Sequence, residues 1–201
     1  MPKLVDHVQR YEEIGKVAAI AIAEYGAENI TVADIGRRAG YSKGAINHYA
    51  RTKDEILLLA NKFVTEDIIK RLTQVRENHS GLEALRLCLH EFLPCKSNYL
   101  RMDDNLLFVL WSKASANPDI RCTLEANTRW FQEYFRALIE EAQKTSELPT
   151  HLDAKKRAQQ TLSHIGALTM NCRITGKRPP ALKQIEYADE WIDFLVNCPP
   201  R

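Results

Sequence analysis

Apolar residues recur at helical spacing along nearly the whole chain, and strand-like alternation is weak. Ile14, Val17, Ala18, Ala21, Ile22 and Tyr25 share one face and predict a helix from Asp6 to about Tyr25, ended by Gly26. Residues 1–5 read as a loose tail. Val32, Ile35 and Ala39 mark the next run. Thr31 precedes it and Asp34 follows, the spacing of a capping box in which hydroxyl and carboxylate each take one orphan backbone N–H. Ile30 and Ile35 flank that cap where a hydrophobic staple forms. Gly40 stops the helix, because glycine tolerates the left-handed conformation that closes one. Ser42 caps a second short piece, with Ile46 and Tyr49 or Ala50 facing inward and Lys43, Gly44, Asn47 and His48 outward. Thr52 and Glu55 form another capping box and open a helix from Lys53 to about Asn78, ended by His79-Ser80-Gly81.

The periodicity continues beyond Gly81. Leu82, Leu85, Leu89, Phe92 and Leu93 mark a helix broken at Pro94; Leu106 or Leu107, with Leu110 and Trp111, mark another, broken at Asn117-Pro118. A long helix follows from about Asp119 to Ser146, through Leu124, Phe131, Phe135, Leu138 and Ile139. The turn Leu148-Pro149-Thr150 leads to a helix from Asp153 to about Thr175. Gly176 to Pro180 is a breaker, and a last helix runs from Leu182 to Asn197. The expectation is an all-α chain of about nine helices, divided into a three-helix unit in residues 1–52, a connecting helix in 53–80 and a helical remainder in 81–201.

Composition narrows the class. With 201 residues, 45% hydrophobic and 27% charged, the chain reads as an ordinary soluble globular protein of one medium or two small domains. No apolar run reaches the roughly 20 residues that span a bilayer. The start, MPKLVDHVQRYEE, is too polar for a signal peptide. Five scattered cysteines without a C-x-x-C pair argue against a disulfide framework or zinc site and for a reducing cytoplasm. Catalysis is not expected. The nearest reactive pairs are Cys88 with His90 and His151 with Asp153, and residues two apart point to different faces of a helix. No catalytic residue, metal ligand or cofactor is assigned.

Charge gives the first positive indication. Between Thr31 and Lys53 lie five cations (Arg37, Arg38, Lys43, Arg51, Lys53) and one anion, Asp34, a local charge of +4 in a chain of formal net charge +2. Two short helices joined by a glycine-containing turn, with that charge, form a helix-turn-helix suited to phosphate. The segment TVADIGRRAGYSKGAINHYARTKDEIL resembles the DNA-binding domain of the TetR family of bacterial regulators, especially at Ala39-Gly40, Ser42, Gly44, Ile46, Tyr49, Lys53, Glu55 and Leu57. It departs from the family at Asn47, where many members carry an aromatic, at Ala50, where Phe is usual, and at Tyr41, where the turn usually has a small aliphatic residue. The resemblance implies that the helix from Ser42 enters the major groove. Candidate DNA contacts are Thr31, Ser42, Lys43, Gly44, Ala45, Asn47, His48, Tyr49 and Lys53. Asn suits the N6/N7 edge of adenine, Gly44 lets the backbone lie close to the duplex, and Lys53 adds a point charge at a helix N-terminus. Tyr49 is equally suited to a phosphate contact and to core packing.

The second half, through LLFVLWSKASANPDIRCTLEANTRWFQEYFRALI and ITGKRPP, resembles the C-terminal domain of the choline-sensing, betaine-pathway repressor branch of that family. The resemblance implies a small-molecule pocket between the middle helices, with candidates Phe92, Met102, Asn105, Phe108, Trp111, Asn127, Trp130, Phe131, Tyr134 and Cys172. Trp111, Trp130 and Tyr134 together suit a cation–π cage for a quaternary amine. It also implies a four-helix dimer interface from the last two helices. Leu162, Ile165, Gly166 and Thr169 mix small with apolar residues, and Trp191, Phe194 and Leu195 lie on a final helix that is apolar over more than one face. The expected function is a homodimeric regulator, most simply a repressor, that holds a pseudo-palindromic double-stranded operator until a small-molecule effector releases it, with no membrane involved. The alternative is a constitutive DNA-binding protein without an effector.

Overall fold

The computed structural model describes residues 7–93, 98–175 and 179–200, with the side chains of 98–105, 172 and 173 left out. Among the described residues there are nine α-helices and no strand: α1 (His7–Tyr25), α2 (Val32–Arg38), α3 (Lys43–Ile46), α4 (Lys53–Asn78), α5 (Gly81–Glu91), α6 (Asn98–Ala114), α7 (Pro118–Lys144), α8 (Ala154–Thr175) and α9 (Ala181–Val196). A single 3-10 turn, Ala27–Asn29, links α1 to α2. The expected tail at 1–5, the break at Pro94, Cys95 and the residues Gly176 to Arg178 of the expected breaker lie outside the described residues.

The helix ends follow from local chemistry. Thr31 and Asp34 close both bonds of the capping box on α2. Thr52 and Glu55 do the same for α4: the Glu55 N–H donates to Thr52 Oγ1 at 3.2 Å, and the Thr52 N–H to Glu55 Oε2 at 3.3 Å. Asn117 Oδ1 accepts from the backbone N–H groups of Asp119 and Ile120, capping α7. The N-terminus of α5 is different. Ser80 makes no side-chain cap, and instead Glu141 accepts from the Gly81 N–H at 3.1 Å while Glu147 accepts from the Leu82 N–H at 3.2 Å. Two carboxylates at a helix N-terminus satisfy orphan donors and oppose the helix dipole.

The chain forms two compact units. The first comprises Met1–Asp67 and Arg101–Thr123. Ile14, Ala18, Ile22, Ile35, Ile46, Ile56 and Leu57 are fully or almost fully buried in it. Two glycines let helices close. A Cβ on Gly15 would stand 2.6 Å from the Leu59 carbonyl oxygen, and one on Gly36 would stand 3.0 Å from Ile46 Cβ. In the same unit Asp54, in the first turn of α4, accepts from Lys113 Nζ at 3.0 Å and from Asn117 Nδ2 at 2.8 Å. Those two donors hold its carboxyl below the usual range, the lysine contributing most.

The second unit comprises Ile68–Leu100 and Leu124–Arg201. Its core includes Leu72, Leu85, Leu89, Phe135, Leu138, Ile139, Ile192 and Leu195, all buried. Long-range ion pairs tie its helices. Arg71 reaches Glu91 at 2.7 Å, Arg76 reaches Glu141 at 2.7 Å, and on the side where α5 packs on α9 Arg86 reaches Asp189 at 2.7 Å. The Arg76 guanidinium, then the Gly81 N–H, hold the Glu141 carboxyl below its ordinary value.

Candidate nucleic-acid interface

The candidate segment is built from the turn outward. Gly40 has φ +77, and behind it the Gly40 N–H donates to the Arg37 carbonyl at 3.3 Å and the Tyr41 N–H to the Gly36 carbonyl at 2.8 Å. This is the doubly bonded left-handed closure that glycine permits. Ser42 then caps α3, its Oγ accepting from the Ala45 N–H at 3.2 Å. Only Lys43–Ile46 is α-helical. The chain continues as tight turns in which the N–H groups of His48 and Tyr49 donate to the carbonyls of Ala45 and Ile46.

Burial separates the two faces of this segment. Ile46 and Ala50 are buried, so the inward pair is Ile46 with Ala50. Lys43, Gly44, Asn47 and His48 are exposed, and Ala45 is half-buried. Gly44 is instructive. A Cβ there would meet nothing within 4 Å, and its φ is not in the left-handed region, so the fold itself does not require glycine. Tyr49 sits in an aromatic cluster behind the segment. Its ring lies edge-on to Tyr11 at 5.0 Å, 5.8 Å from Tyr41 and 6.2 Å from His7. Arg10 stands over the Tyr41 ring at 5.7 Å, and Tyr41 donates to Glu13 at 3.4 Å. The large residue in the turn is thereby packed against α1, and Tyr11, which sequence reasoning passed over, is part of that packing.

The outer charges are partly committed. The Thr31 hydroxyl accepts from the Asp34 N–H and donates to Asp34 Oδ2 at 2.7 Å. That bond is the main reason the Asp34 carboxyl lies below its usual value, with Arg37 adding to it. Arg38 stacks over the Tyr25 ring at 4.5 Å. Lys53 is not free for phosphate alone: its Nζ donates to the Glu28 carbonyl at 3.1 Å and to the Glu28 carboxylate at 3.3 Å. Glu28 lies outside the motif, and nothing in the spacing of the sequence points to it.

In the second unit, four of the expected pocket residues come together. Phe92 meets Phe131 edge-on at 5.1 Å, Phe131 meets Trp130 at 5.0 Å, and Trp130 stacks on Tyr134 at 5.3 Å. The Trp130 and Tyr134 faces are turned to each other, which leaves no room for a cation between them. The Tyr134 hydroxyl bonds Cys88 Sγ and the Leu72 carbonyl, and burial pushes its proton affinity well up. Cys88 is thus paired with Tyr134, while His90 is paired with Asp189 at 2.8 Å. Phe108 and Trp111, on α6, belong to the first unit and are partly exposed, and Asn127 is half-buried on α7. The side chains of Met102, Asn105 and Cys172 lie outside the described residues. An open groove of about 400 Å³, lined by Arg71, Gln74, Asn78, His79, His90 and Glu91 among others, includes none of the expected pocket residues.

The last two helices present one covered and one open face. Ile192 and Leu195 are buried within the protomer, as is Ile165, whereas Phe194 is 48% exposed. Trp191 donates to Thr161 Oγ1 at 2.9 Å and stacks between His164 and Phe194, with Arg157 over the Phe194 ring. Leu162, Gly166 and Thr169 are half-buried, and Gly166 has open space beside it. Among the described residues, no group of His, Cys, Asp and Glu could hold a metal ion, and no helix is long and apolar enough to cross a membrane.

Comparison with known proteins bears on the first unit most directly. Residues 14–60 match the family model of bacterial regulatory proteins, tetR family. A Bacillus subtilis protein named HTH-type transcriptional regulator PksA is 37% identical over 103 residues, a match that spans half of each chain. HTH-type transcriptional regulator BetI of Burkholderia mallei is 25% identical over 199 residues, 98% of each chain. A solved structure from Saccharomonospora viridis, described as a putative transcriptional regulator in complex with choline, superposes with a TM-score of 0.80 at 22% identity, covering 92% of this chain and 96% of its own.

Proposed function

Since the chain belongs to the tetR family of bacterial regulatory proteins, we propose that it is a homodimeric, ligand-responsive DNA-binding repressor of the cytoplasm. The observation that carries this reading is the division of the α3 segment. Ile46, Ala50 and the Tyr49 cluster anchor it from behind, and Lys43, Gly44, Asn47 and His48 stand in solvent with no packing duty. A glycine that the fold does not need, on an exposed and basic face, is what close approach to a duplex calls for. Lys43 and Lys53 would position the protein on phosphates, and Asn47 or His48 would read base edges. Residues 1–52 serve as the reading domain, 53–80 as the connecting helix and 81–201 as the effector and dimer domain.

Two such segments about one DNA turn apart would read a pseudo-palindrome. The open α8–α9 face, where Phe194 is exposed and Gly166 has open space beside it, supports pairing with a second copy. The effector would act through α4, whose residues 53–67 belong to one unit and 68–78 to the other. It releases DNA only by binding the two spacings with different affinity. The choline-bound neighbour makes a quaternary amine the first effector class to try.

The test joins selection from random duplexes with footprinting on the full-length protein. The expected result is a two-fold symmetric site, protected by a dimer. Loss of sequence preference in Asn47→Ala, with binding to random DNA retained, would mark that residue as a base reader. A protein that stays monomeric and leaves every duplex unprotected in dilute salt overturns the reading. Calorimetry with choline and betaine aldehyde tests the effector class separately.

A further inference from the structure

The pairing of Lys53 carries an inference that rests on the DNA-binding reading above. We propose that Glu28 is a built-in competitor for the phosphate that Lys53 would hold, and that it weakens the grip of the reading unit on DNA of every sequence.

The two bonds Lys53 makes to Glu28 differ in kind. The carbonyl, at 3.1 Å, is a neutral anchor supplied by the backbone whatever side chain occupies position 28. The carboxylate, at 3.3 Å, is a full negative charge that cancels the ammonium it touches. The Glu28 side chain is 81% exposed, so packing does not hold it in place, whereas the Lys53 side chain is 31% exposed and its ammonium is pinned at the start of α4. The other acids of the region are not equivalent: Asp54 is held by Lys113 and Asn117, Glu55 caps α4, and Asp34 is likewise committed. Asp34 caps α2 and bonds Thr31 and Arg37, so the fold requires it. Glu28 caps no helix, and its charge subtracts from the basic surface around Lys53.

The consequence is one of linkage. A phosphate that contacts Lys53 must displace a carboxylate already there, and a cation that arrives neutralised releases no net counterion from the duplex. Removing the carboxylate and leaving the carbonyl keeps the ammonium positioned and restores its full charge. The chemistry identifies the target as any polyanionic duplex backbone, so the effect is independent of base sequence.

The experiment is an anisotropy titration of a random-sequence DNA duplex across a salt series. It uses full-length wild type, Glu28→Gln, Lys53→Met and the double variant, with Glu28→Ser as a second neutral replacement. Glu28→Gln and Glu28→Ser should tighten binding roughly two- to fivefold per subunit, the scale of one exposed ion pair. The plot of log affinity against log salt should steepen by about 0.9 per subunit, one counterion regained. In the Lys53→Met background the same replacement should change neither quantity. Unchanged or weaker binding in both neutral variants overturns the proposal. So does equal tightening without Lys53, which would report a diffuse charge effect. A wild type that binds no duplex even in dilute salt overturns the regulator reading along with it, a result distinct from both.

Discussion

In the first unit, helices meet at glycines: α1 reaches the α4 backbone at Gly15, where a Cβ has no room, and α2 reaches the Ile46 side chain of α3 at Gly36, where a Cβ would be tight. In the second, helices are joined by long side chains. Arg71, Arg76 and Arg86 each reach a carboxylate at least 20 residues away, and Phe92, Phe131 and Phe135 meet ring to ring. The two designs suit different duties. Close crossings at glycine leave little slack in the short α3 segment. Side-chain bridges between longer helices leave more latitude, because rotamers can adjust.

The contrast can be broken in a definite order. Removing bulk should hurt the second unit most. Phe135 is fully buried, and Phe135→Ala should cost about 3–5 kcal/mol in denaturant unfolding. Adding bulk should hurt the first. Gly15→Ala drives a methyl against the Leu59 carbonyl, an overpacking cost of about 1–3 kcal/mol that outweighs the roughly 1 kcal/mol alanine gains in a helix. A Gly15→Ala variant that melts above wild type would mean α1 and α4 can separate without cost. Acid should loosen both units. Asp54 and Glu141 have folded values below their unfolded ones, so the stability they supply is complete above the ordinary carboxylate range and is lost as pH falls below it. Glu141→Gln should flatten that fall in a pH series of melting temperatures. Gly44→Ala should have the smallest effect on folding, a gain of up to about 1 kcal/mol, and yet weaken duplex binding. Unchanged binding there would remove Gly44 from the DNA face.

What could be read from the sequence follows the same divide. The capping boxes at Thr31 and Thr52, the cap at Ser42 and the left-handed Gly40 are decided within a few residues, and each stands where the spacing puts it. The nine helices among the described residues were legible for that reason. The outward set on α3 was legible from a single turn of helix. Tyr49 was not, because its place depends on Tyr11 and His7 arriving from α1. Nor was the Glu28 clamp on Lys53, 25 residues apart, or the capping of α5 by Glu141 and Glu147, some 60 residues on. Such bonds leave no periodic trace. Each joins two polar residues that look like ordinary surface until the helices between them are in place.

The separation of Ile46, Ala50 and Tyr49 from Lys43, Gly44, Asn47 and His48 has an evolutionary corollary. Residues that carry no packing can be exchanged at little cost in stability. On the proposed DNA-binding reading, a descendant of this chain could therefore move to a new duplex site by a few outward replacements, with its scaffold inherited intact.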